Sequence, residues 1–583
     1  MNQGEVVLHD AAQSRWLHFD QPMAVIQARR LDEILPALRL LEKRLNQEQL
    51  YATGFISYEA APAFDPAFRV RPADPSFPLL WFGLYKEAAP FDLEASPWPN
   101  YHVGEWTPSL SRQQYDQAIA SIKGAIARGE TYQVNYTLRL HSQFSGDAWG
   151  LFRQIAQTQR ARYAAYLDLG RFVICSASPE LFFTWEDGRL VCRPMKGTAG
   201  RGLLLEDDRK QAEWLYHSEK NRAENVMIVD MIRNDLGRIA EIGSVQTTRL
   251  FEVERYPTVW QMTSTVEAHS RSNLSEIMRA LFPCASITGA PKVRTTHIIA
   301  ELETTPRRIY TGCIGFISPQ RRAQFNVAIR SVLLDRESGA VEYGVGGGIV
   351  WDSTSTEEYE ECQIKARLLT QPQPEFCLLE SLLWTPQEGY FLLQAHLRRL
   401  SASAEYFGFP LEQKVIEQHL AETAATLPPL AHKVRLMLNR HGETTCQAAP
   451  LDQNTSQSNF PEPARLKLAD QPVSSRNIFL YHKTTHRQVY EQARAACGGC
   501  SDVLLWNERG ELTESDSANL AARLDGRLVT PPVSCGLLPG VFRQWLLDRG
   551  ELYEQIIRLE DISRCEEIYL INSVRKWRRA ILI

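Results

Sequence analysis

The sequence predicts an α+β protein of two domains, the larger of which contains extensive β-sheet. Helical and strand patterns alternate through about the first 370 of the 583 residues. Apolar residues at helical spacing predict a helix over 111–128, which Gly129 ends. Apolar runs over 132–140 and 171–175 are typical of strands, and 219–239 is apolar on most faces, as in a buried helix.

A proline-rich junction separates the two predicted domains. Residues 370–375 read TQPQPE, between a charged helical stretch and a new apolar run that starts at Phe376. We therefore predict an N-terminal domain over 1–370, a linker over 371–375 and a C-terminal domain over 376–583.

Composition argues against several classes of protein. The formal net charge of −5 offers no basic field for nucleic acid or an anionic membrane, and no uncharged apolar run is long enough to span a bilayer. The N-terminus has no secretory pattern. The isolated pair Cys497 and Cys500 favours ordinary packing of reduced thiols over a zinc site. We expect a soluble cytoplasmic protein without a nucleic-acid or membrane partner.

A glycine-rich strand precedes a helix that carries carboxylates. The strand YGVGGGIVW (343–351) runs into no helix directly, so it does not suit a dinucleotide loop, but its bare N–H groups could bind a carboxylate or phosphate. The helix after it opens with a predicted Ser355–Glu358 capping box and places Glu358, Glu361 and Lys365 on one face. Together with Glu224 on another helix, these carboxylates suit Mg²⁺; alternatively, Glu358 only caps its helix and Glu224 pairs with a nearby arginine.

Seven motifs recur in an order that resembles the chorismate-utilising enzymes, which include anthranilate, aminodeoxychorismate and isochorismate synthases. They are YQVNYTLRL from Tyr132, SPELFF from Ser178, RPMKGTAGRG from Arg193, the Glu224 helix, ITGAPK from Ile287, RIYTGCIGF from Arg308, and GVGGGIVWDS with the helix that follows. The resemblance implies an α/β sandwich of large antiparallel sheets with the site between them.

The resemblance also implies roles for individual residues. Glu224 and Glu361 would bind Mg²⁺, with Glu358 in support, and the metal would hold the ring carboxylate of chorismate. The enolpyruvyl carboxylate and the rest of the substrate would be bound by Thr198, Tyr310, Arg330, Lys365 and the amides of Gly346, Gly347 and Gly348. Two cations and a phenol facing a dianion are electrostatically consistent with this.

Two positions distinguish members of the family. Isochorismate synthases have a lysine base where this chain has Gln133, and anthranilate synthases have alanine where it has Lys196. The resemblance therefore favours aminodeoxychorismate synthases, in which this lysine is proposed to attack ring carbon 2 and expel the 4-hydroxyl before ammonia enters at carbon 4. Gln261 stands where anthranilate synthases have histidine, which further weakens that alternative. Because no glutaminase motif is visible, a glutamine amidotransferase subunit is expected to supply ammonia.

The C-terminal motifs resemble fold-type IV pyridoxal-phosphate enzymes. They are YHKTTHRQVYEQA from Tyr481, ELTESDSANLAAR from Glu511, GLLPGVFRQW from Gly536 and INSVRKW from Ile571. The resemblance implies that Lys483 forms the Schiff base and that Glu514 pairs with the pyridine nitrogen. The phosphate would be held by Gly540 and Val541 at a helix N-terminus, Ser573 and Arg399, with the adjacent Arg398 as an alternative to Arg399.

A lyase is the C-terminal activity that the fusion favours. It would convert aminodeoxychorismate into 4-aminobenzoate and pyruvate for folate biosynthesis, and the pyridoxal-phosphate domain could form an oligomer. The alternatives are an anthranilate synthase-like enzyme and a synthase that carries a non-catalytic C-terminal module.

Overall fold

The computed structural model describes residues 2–370, 374–451, 463–498 and 500–583. They form two compact units. The first comprises the described residues of Met1–Gly200 and Ala212–Gln373, and the second comprises Arg201–Gln211 and the described residues of Pro374–Ile583. The predicted linker lies partly outside the described residues, because 371–373 are not among them. Nothing in the sequence pattern anticipated that Arg201–Gln211 would belong to the second unit.

The strands over the first 370 residues are β1 (Val6–Asp10), β2 (Arg15–Phe19), β3 (Ala24–Ala28), β4 (Tyr51–Ile56), β5 (Leu80–Tyr85), β6 (Ala89–Phe91), β7 (Tyr101–Val103), β8 (Thr107–Pro108), β9 (Gln133–Gly146), β10 (Tyr163–Asp168), β11 (Phe172–Ser178), β12 (Leu181–Glu186), β13 (Arg189–Arg193), β14 (Met195–Gly200), β15 (Gln246–Arg255), β16 (Val259–His269), β17 (Gly289–Ala290), β18 (Cys313–Ile317), β19 (Ala323–Val327), β20 (Ser331–Asp335) and β21 (Ala340–Ile349). The helices are α1 (Leu31–Glu48), α2 (Ala61–Phe64), α3 (Arg112–Ala127), α4 (Ala148–Gln159), α5 (Leu205–His217), α6 (Glu219–Gly237), α7 (Leu274–Leu281), α8 (Lys292–Leu302) and α9 (Ser355–Thr370).

Two antiparallel sheets form the centre of the first unit. One joins eleven strands of the described chain in the main order β17-β9-β21-β20-β11-β10-β1-β2-β6, and the other joins ten in the main order β14-β16-β13-β12-β19-β18-β4-β5-β3. An apolar cluster that includes Phe19 and Ile174 of the first sheet and Phe55 and Phe316 of the second lies between them. The expected sandwich of large antiparallel sheets is confirmed.

Helices cover the outer faces of this sandwich. Helices α3, α4, α8 and α9 pack on the eleven-stranded sheet, and α1, α6 and α7 pack on the other. Helix α3 begins at a Ser111 capping box, and its Tyr115, Ile119 and Ile122 are buried, as their spacing predicts.

The second unit contains two smaller sheets. Its strands are β22 (Leu378–Thr385), β23 (Gly389–Tyr390), β24 (His432–Leu438), β25 (Thr444–Pro450), β26 (Ala464–Leu468), β27 (Asp502–Trp506), β28 (Leu512–Ser515), β29 (Asn519–Leu524), β30 (Arg527–Thr530), β31 (Tyr553–Glu554), β32 (Cys565–Asn572) and β33 (Lys576–Leu582). Its further helices are α10 (Leu393–Phe407), α11 (Gln413–Thr426), α12 (Gln488–Ala496) and α13 (Val541–Asp548). A four-stranded antiparallel sheet, β23-β22-β24-β25, packs on α10 and α11, and a mixed eight-stranded sheet contains the remaining strands.

Two local expectations were wrong. Cys497 and Cys500 form a disulfide instead of remaining thiols. Ser355 is the first residue of α9 rather than its cap, because the Thr354 hydroxyl accepts the Glu357 N–H, and Glu358 accepts a hydrogen bond from Ser353 instead of closing a capping box.

Candidate active sites

Lys196 lies on an irregular strand at the edge of its sheet. Strand β14 pairs with β16 at Met195 and again from Thr198 to Gly200, with a register shift between them, and Gly197 has a φ of +104°. This irregularity is a bulge at Lys196 and Gly197, of the kind that re-aims a side chain. Lys196 therefore leaves the regular alternation of its strand.

The glycine strand β21 comes from the other sheet and meets Lys196. A Cβ atom added to Gly348 would lie 2.7 Å from Lys196 Nζ and 2.6 Å from Gln133 Nε2. One added to Gly347 would lie 2.7 Å from Glu358 Oε2. The absence of side chains on this strand therefore makes the space that the lysine, the amide and the carboxylates share.

Lys365 connects the same strand to helix α9. Its Nζ donates to the Gly346 carbonyl at 2.7 Å and pairs with Glu361 Oε1 at 2.5 Å, one turn away as predicted. Burial acts to raise the pKa of Glu361, but the charge and hydrogen bond of Lys365 outweigh it, so this pKa lies below its ordinary value.

Among the described residues, neither Glu224 nor Glu358 forms an ion pair like that of Glu361 with Lys365. Gln133 Nε2 donates to Glu224 at 3.4 Å, and Ser353 donates to Glu358 at 2.6 Å. Burial, followed by the charge of Glu361, raises the pKa of Glu358. Burial also raises the pKa of Glu224, and Glu361 contributes in the same direction although Lys196 opposes it. The arginines considered as partners of Glu224 are engaged elsewhere: Arg233 pairs with Asp230, and Arg222 stacks on Phe251.

The chemistry of these three carboxylates suits a hard divalent cation. Glu361 raises the pKa values of Glu224 and Glu358, Glu224 also raises that of Glu358, and a cation among them would relieve that repulsion. Within the described ranges, however, no three His, Cys, Asp or Glu side chains already converge as a metal-binding group. The assignment of Glu224, Glu358 and Glu361 to Mg²⁺ stays a prediction.

The other predicted substrate-binding residues differ in their surroundings. Tyr310 is buried, which raises its pKa to about 12, and its ring lies where a side chain on Gly344 would stand. Arg330 donates to the Lys365 carbonyl at 2.7 Å, so it contacts the C-terminal half of α9. Thr198 donates to Gln261 across the β14–β16 pair at 3.3 Å.

Glu180 is a site residue that sequence reasoning missed. It belongs to the SPELFF motif, is 3% exposed, and accepts the Met195 N–H at 3.4 Å. Burial raises the pKa of Glu180 to about 7, although the hydrogen bond of Ser286 and the charge of Lys196 oppose it. A carboxyl group that titrates near neutrality beside a lysine is a candidate proton donor. The signal available in the sequence was an acidic residue directly before the apolar residues 181–183 of its motif.

The second unit contains a cavity of about 510 Å³ that all the predicted cofactor residues line. They are Arg399, Lys483, Glu514, Gly540, Val541 and Ser573. Arg398, the alternative to Arg399, is exposed to solvent. Pockets of this size accommodate cofactors.

The pKa values of Lys483 and Glu514 are shifted in the directions opposite to those that an ordinary ion pair produces. Burial, with Arg399 nearby, lowers the pKa of Lys483 to about 8. Burial raises the pKa of Glu514 to about 7 although Tyr490 donates to it at 2.8 Å and Leu538 N–H at 3.1 Å. Each group is thus biased toward its neutral form, which suits an amine that must be nucleophilic and a carboxyl that shares a proton.

A buried glutamate orients two potential phosphate ligands. Glu380 accepts from Arg399 at 2.9 and 2.6 Å and from His396 Nδ1 at 2.7 Å. These contacts lower the pKa of Glu380 to about 2 against the effect of burial. His396 lines the cavity, and its buried Nε2 has no hydrogen-bond partner within the described chain. Because Nδ1 donates to Glu380, Nε2 carries a hydrogen only when the ring is an imidazolium, and in that form it could donate to a phosphate group beside Arg399 and the first turn of α13.

Further cations line this cavity. Lys433 and Arg435 lie two residues apart on β24 and therefore on the same face of its sheet. Arg435 pairs in register with Ser381 of β22, which also lines the cavity. Along with Arg575, they have no carboxylate partner in the part of the chain that the structure describes, and Arg435 Nε is buried without an acceptor. Burial and then Arg435 lower the pKa of Lys433. The cavity therefore suits an anionic ligand.

Similarity to known proteins agrees with this geometry. The family model for chorismate binding enzymes matches residues 94–371, and that for class IV amino-transferases matches 378–583. Aminodeoxychorismate synthase component 1 of Bacillus subtilis is 32% identical over 371 residues, covering 56% of this chain and 78% of that relative. The chain belongs to the chorismate-binding enzyme family.

Other members of this family share only part of their length with the chain. Aminodeoxychorismate synthase component 1 of Escherichia coli is 41% identical over 272 residues, which cover 46% of this chain and 60% of that relative. The chain thus spans about three fifths of the length of such curated relatives. Anthranilate synthase component I from Streptococcus pneumoniae has the same fold over 64% of this chain and 93% of its own, with a TM-score of 0.52 at 22% identity.

None of the helices in the described ranges has the length and apolar character that crossing a bilayer requires.

Proposed function

We propose that the first unit converts chorismate and ammonia into 4-amino-4-deoxychorismate, and that the second unit converts this product into 4-aminobenzoate and pyruvate for folate biosynthesis. The observation that carries the proposal is the approach of Lys196 Nζ to Gly348, beside Gln133 and facing the carboxylates of α6 and α9. A lysine at this place fits covalent chemistry on the substrate ring better than addition of water.

Lys196 is the nucleophile of the proposed amination. Its amine bonds to ring carbon 2 while the 4-hydroxyl leaves as water, and Glu180, with its pKa near 7, supplies the proton. Ammonia then bonds to carbon 4, and the lysine leaves carbon 2. Gln133 has no basic nitrogen, so it cannot activate water at carbon 2 as a lysine would.

We propose that Mg²⁺ and positively charged side chains bind the chorismate dianion. Glu224 and Glu361, supported by Glu358, would hold Mg²⁺, which supplies positive charge for the ring carboxylate. Lys365, Arg330 and Tyr310 are proposed to bind the enolpyruvyl carboxylate, with the amides of the glycine strand.

The second unit is proposed to act as a pyridoxal-phosphate lyase. The cofactor supplies an electron sink when bound. Lys483 would hold it and move protons, Glu514 would keep its pyridine nitrogen protonated, and Arg399, Ser573 and the Gly540–Val541 amides would bind its phosphate. His396, as an imidazolium, would be a further donor for that phosphate through Nε2. Lys433, Arg435 and Arg575 match a substrate with two carboxylates.

A separate glutamine amidotransferase is proposed to supply the ammonia. The sequence shows no nucleophilic cysteine on a glycine-rich elbow with the partners that glutamine hydrolysis requires. Ammonium salts should therefore support amination without glutamine.

The test is incubation of the purified protein with chorismate, Mg²⁺, ammonium and pyridoxal phosphate, followed by mass analysis. We expect 4-aminobenzoate and pyruvate, and 4-amino-4-deoxychorismate when pyridoxal phosphate is omitted. Anthranilate as product would contradict the proposed amination. Accumulation of 4-amino-4-deoxychorismate with the cofactor present would identify the second unit as a non-catalytic module.

A further inference from the structure

Glu514 accepts hydrogen bonds from three separate parts of the second unit. Tyr490, on helix α12, donates its hydroxyl to Oε1 at 2.8 Å, and the Leu538 N–H donates to the same oxygen at 3.1 Å. Asn519 Nδ2 donates to Oε2 at 3.0 Å. All four residues line the cavity, and Glu514 is 4% exposed. Donors of the protein itself therefore fix the orientation of this carboxyl group.

These donors leave one acceptor position on the carboxylate. An ionised carboxylate has about four lone-pair positions, two on each oxygen. In the described chain, Oε1 uses both of its positions, for Tyr490 and Leu538, and Oε2 uses one, for Asn519. The position that remains on Oε2 suits a single N–H donor of a ligand in the cavity.

Asn519 and Leu538 form a closed set of hydrogen bonds with Glu514. Asn519 pairs with Glu514 in the register of β28 and β29, and its Nδ2 also donates to the Leu538 carbonyl at 2.8 Å. A Cβ atom added to Gly540 would lie 1.9 Å from Asn519 Oδ1, so only glycine leaves room for this amide. The glycine predicted to bind the cofactor phosphate thus also makes space for a side chain that holds Glu514.

Tyr490 is held as a hydrogen-bond donor. Its ring packs in an apolar cluster that includes Val503, and the Arg487 guanidinium lies 4.6 Å from the ring centre. Burial, followed by the charge of Glu514, raises the pKa of Tyr490 well above its ordinary value, so the hydroxyl keeps its hydrogen. The other charged groups that act on Glu514 are Lys483 and Arg487.

The hydroxyl of Tyr490 opposes the effect of burial on Glu514. Burial raises the pKa of Glu514 to about 7, and the hydrogen bond from Tyr490 is the largest influence in the other direction. Without this donor, the buried carboxyl would hold a proton more tightly. A carboxyl that is neutral for this reason could not serve as the negative partner of a pyridinium ring.

We propose that Tyr490 and Asn519 are positioning residues for Glu514, which keep its carboxyl ionised and direct the remaining lone pair of Oε2 to the pyridine nitrogen of pyridoxal phosphate. This inference rests on the cofactor site proposed for the second unit. Neither residue exchanges a proton with the cofactor, since each acts through Glu514. Loss of the Tyr490 hydroxyl therefore lowers the fraction of bound cofactor whose ring nitrogen is protonated.

The experiment measures the protonation of the bound cofactor directly. Full-length wild-type protein and Tyr490→Phe are loaded with pyridoxal phosphate that carries ¹⁵N in its ring, and the ¹⁵N chemical shift reports whether this nitrogen is protonated. Glu514→Gln, whose amide is not a base, gives the shift of the unprotonated ring. We expect the pyridinium shift in the wild type and, in Tyr490→Phe, a shift displaced towards the value of Glu514→Gln.

Turnover of supplied 4-amino-4-deoxychorismate is the second readout. A hydrogen bond to a charged group contributes about 10- to 100-fold to an equilibrium. We expect kcat of Tyr490→Phe to fall about tenfold or more, because the cofactor is a weaker electron sink without its ring proton. Asn519→Ala removes the donor to Oε2 and should change both readouts in the same direction.

Tyr390→Phe is the matched control. Tyr390 also donates a partly buried hydroxyl, to the Leu420 carbonyl at 2.8 Å, but it is not among the described residues that line the cavity. Its variant loses one tyrosine hydroxyl in the same unit without affecting Glu514. We therefore expect the ¹⁵N shift and kcat of the wild type.

A wild-type ¹⁵N shift in Tyr490→Phe would overturn the inference, and so would an unprotonated ring in the wild-type protein or equal changes in Tyr390→Phe. If Tyr490→Phe does not fold, Asn519→Ala decides: a shift towards the Glu514→Gln value supports the inference, and a wild-type shift overturns it. Failure of the wild-type protein to bind pyridoxal phosphate would instead refute the function proposed for the second unit.

Discussion

The two lysine sites have opposite electrostatic surroundings. Lys196 lies among carboxylates, namely Glu180, Glu224 and Glu361, whereas Lys483 lies in a cavity rich in arginine and lysine. The first site can therefore gather a divalent cation around an anionic ring, and the second can bind an anionic cofactor and substrate directly. The same side chain is thus given two different tasks by the charges around it.

Exchanging each lysine for alanine separates the two sites most strongly. Lys196→Ala should reduce formation of 4-amino-4-deoxychorismate by about 1,000-fold or more, because a nucleophile is lost, while the lyase step on supplied 4-amino-4-deoxychorismate continues. Lys483→Ala should give the reverse pattern. Mass analysis with each substrate measures both. Undiminished amination by Lys196→Ala would show that the reaction needs no covalent step.

Glu180→Gln tests the proton donor in the carboxylate-rich site. We expect kcat for amination to fall about 100-fold, a typical contribution of a general acid. With the pKa of Glu180 at about 7, the wild-type carboxyl loses its proton as pH rises, so kcat at constant free ammonia should decline above about pH 7. The variant should lack this decline. A pH profile that is the same in both proteins would remove Glu180 from the mechanism.

Arg435→Ala tests the cation-rich cavity. Loss of a charge-assisted hydrogen bond of about 1.5–3 kcal/mol should raise KM for 4-amino-4-deoxychorismate about 10- to 100-fold, with the absorbance of bound pyridoxal phosphate unchanged. Arg398→Ala, an exposed arginine in the second unit, is the control. Equal KM values for the two variants would place the substrate carboxylates elsewhere.

The smallest expected effect concerns the pKa of Lys483 in the cavity before the cofactor binds. Because burial lowers the pKa of Lys483 to about 8, the neutral amine predominates above that pH. As pH increases, the rate at which cofactor-free protein binds pyridoxal phosphate should rise to a plateau, with a midpoint near pH 8. The rate is measured from the visible absorbance of the bound cofactor. A midpoint above pH 10 would mean that the site leaves the amine unperturbed.

Local sequence signals predicted part of this arrangement, and non-local contacts supplied the rest. Helical spacing correctly placed Lys365 one turn from Glu361, because that distance depends only on the helix. The approach of Gly348 to Lys196 joins two different sheets, and no periodicity encodes it. Glu180 was missed because its burial, which raises its pKa, depends on the packed sandwich. The order of the motifs pointed to both sites, whereas the partners of His396 and Arg201 became visible only in the folded chain.

The discontinuity of the second unit has a consequence for dissecting the protein into fragments. A fragment that starts at the proline-rich junction would contain Tyr406 and His482 but lack the carbonyl groups of Gly202 and Leu203 that accept from them. Two donors would then be left unsatisfied, and the aromatic face that Arg201 covers would be open to water. Cutting this chain at its most obvious linker would therefore damage the C-terminal half, and a gene split there would have to evolve replacements for those contacts before the fragment could stand alone.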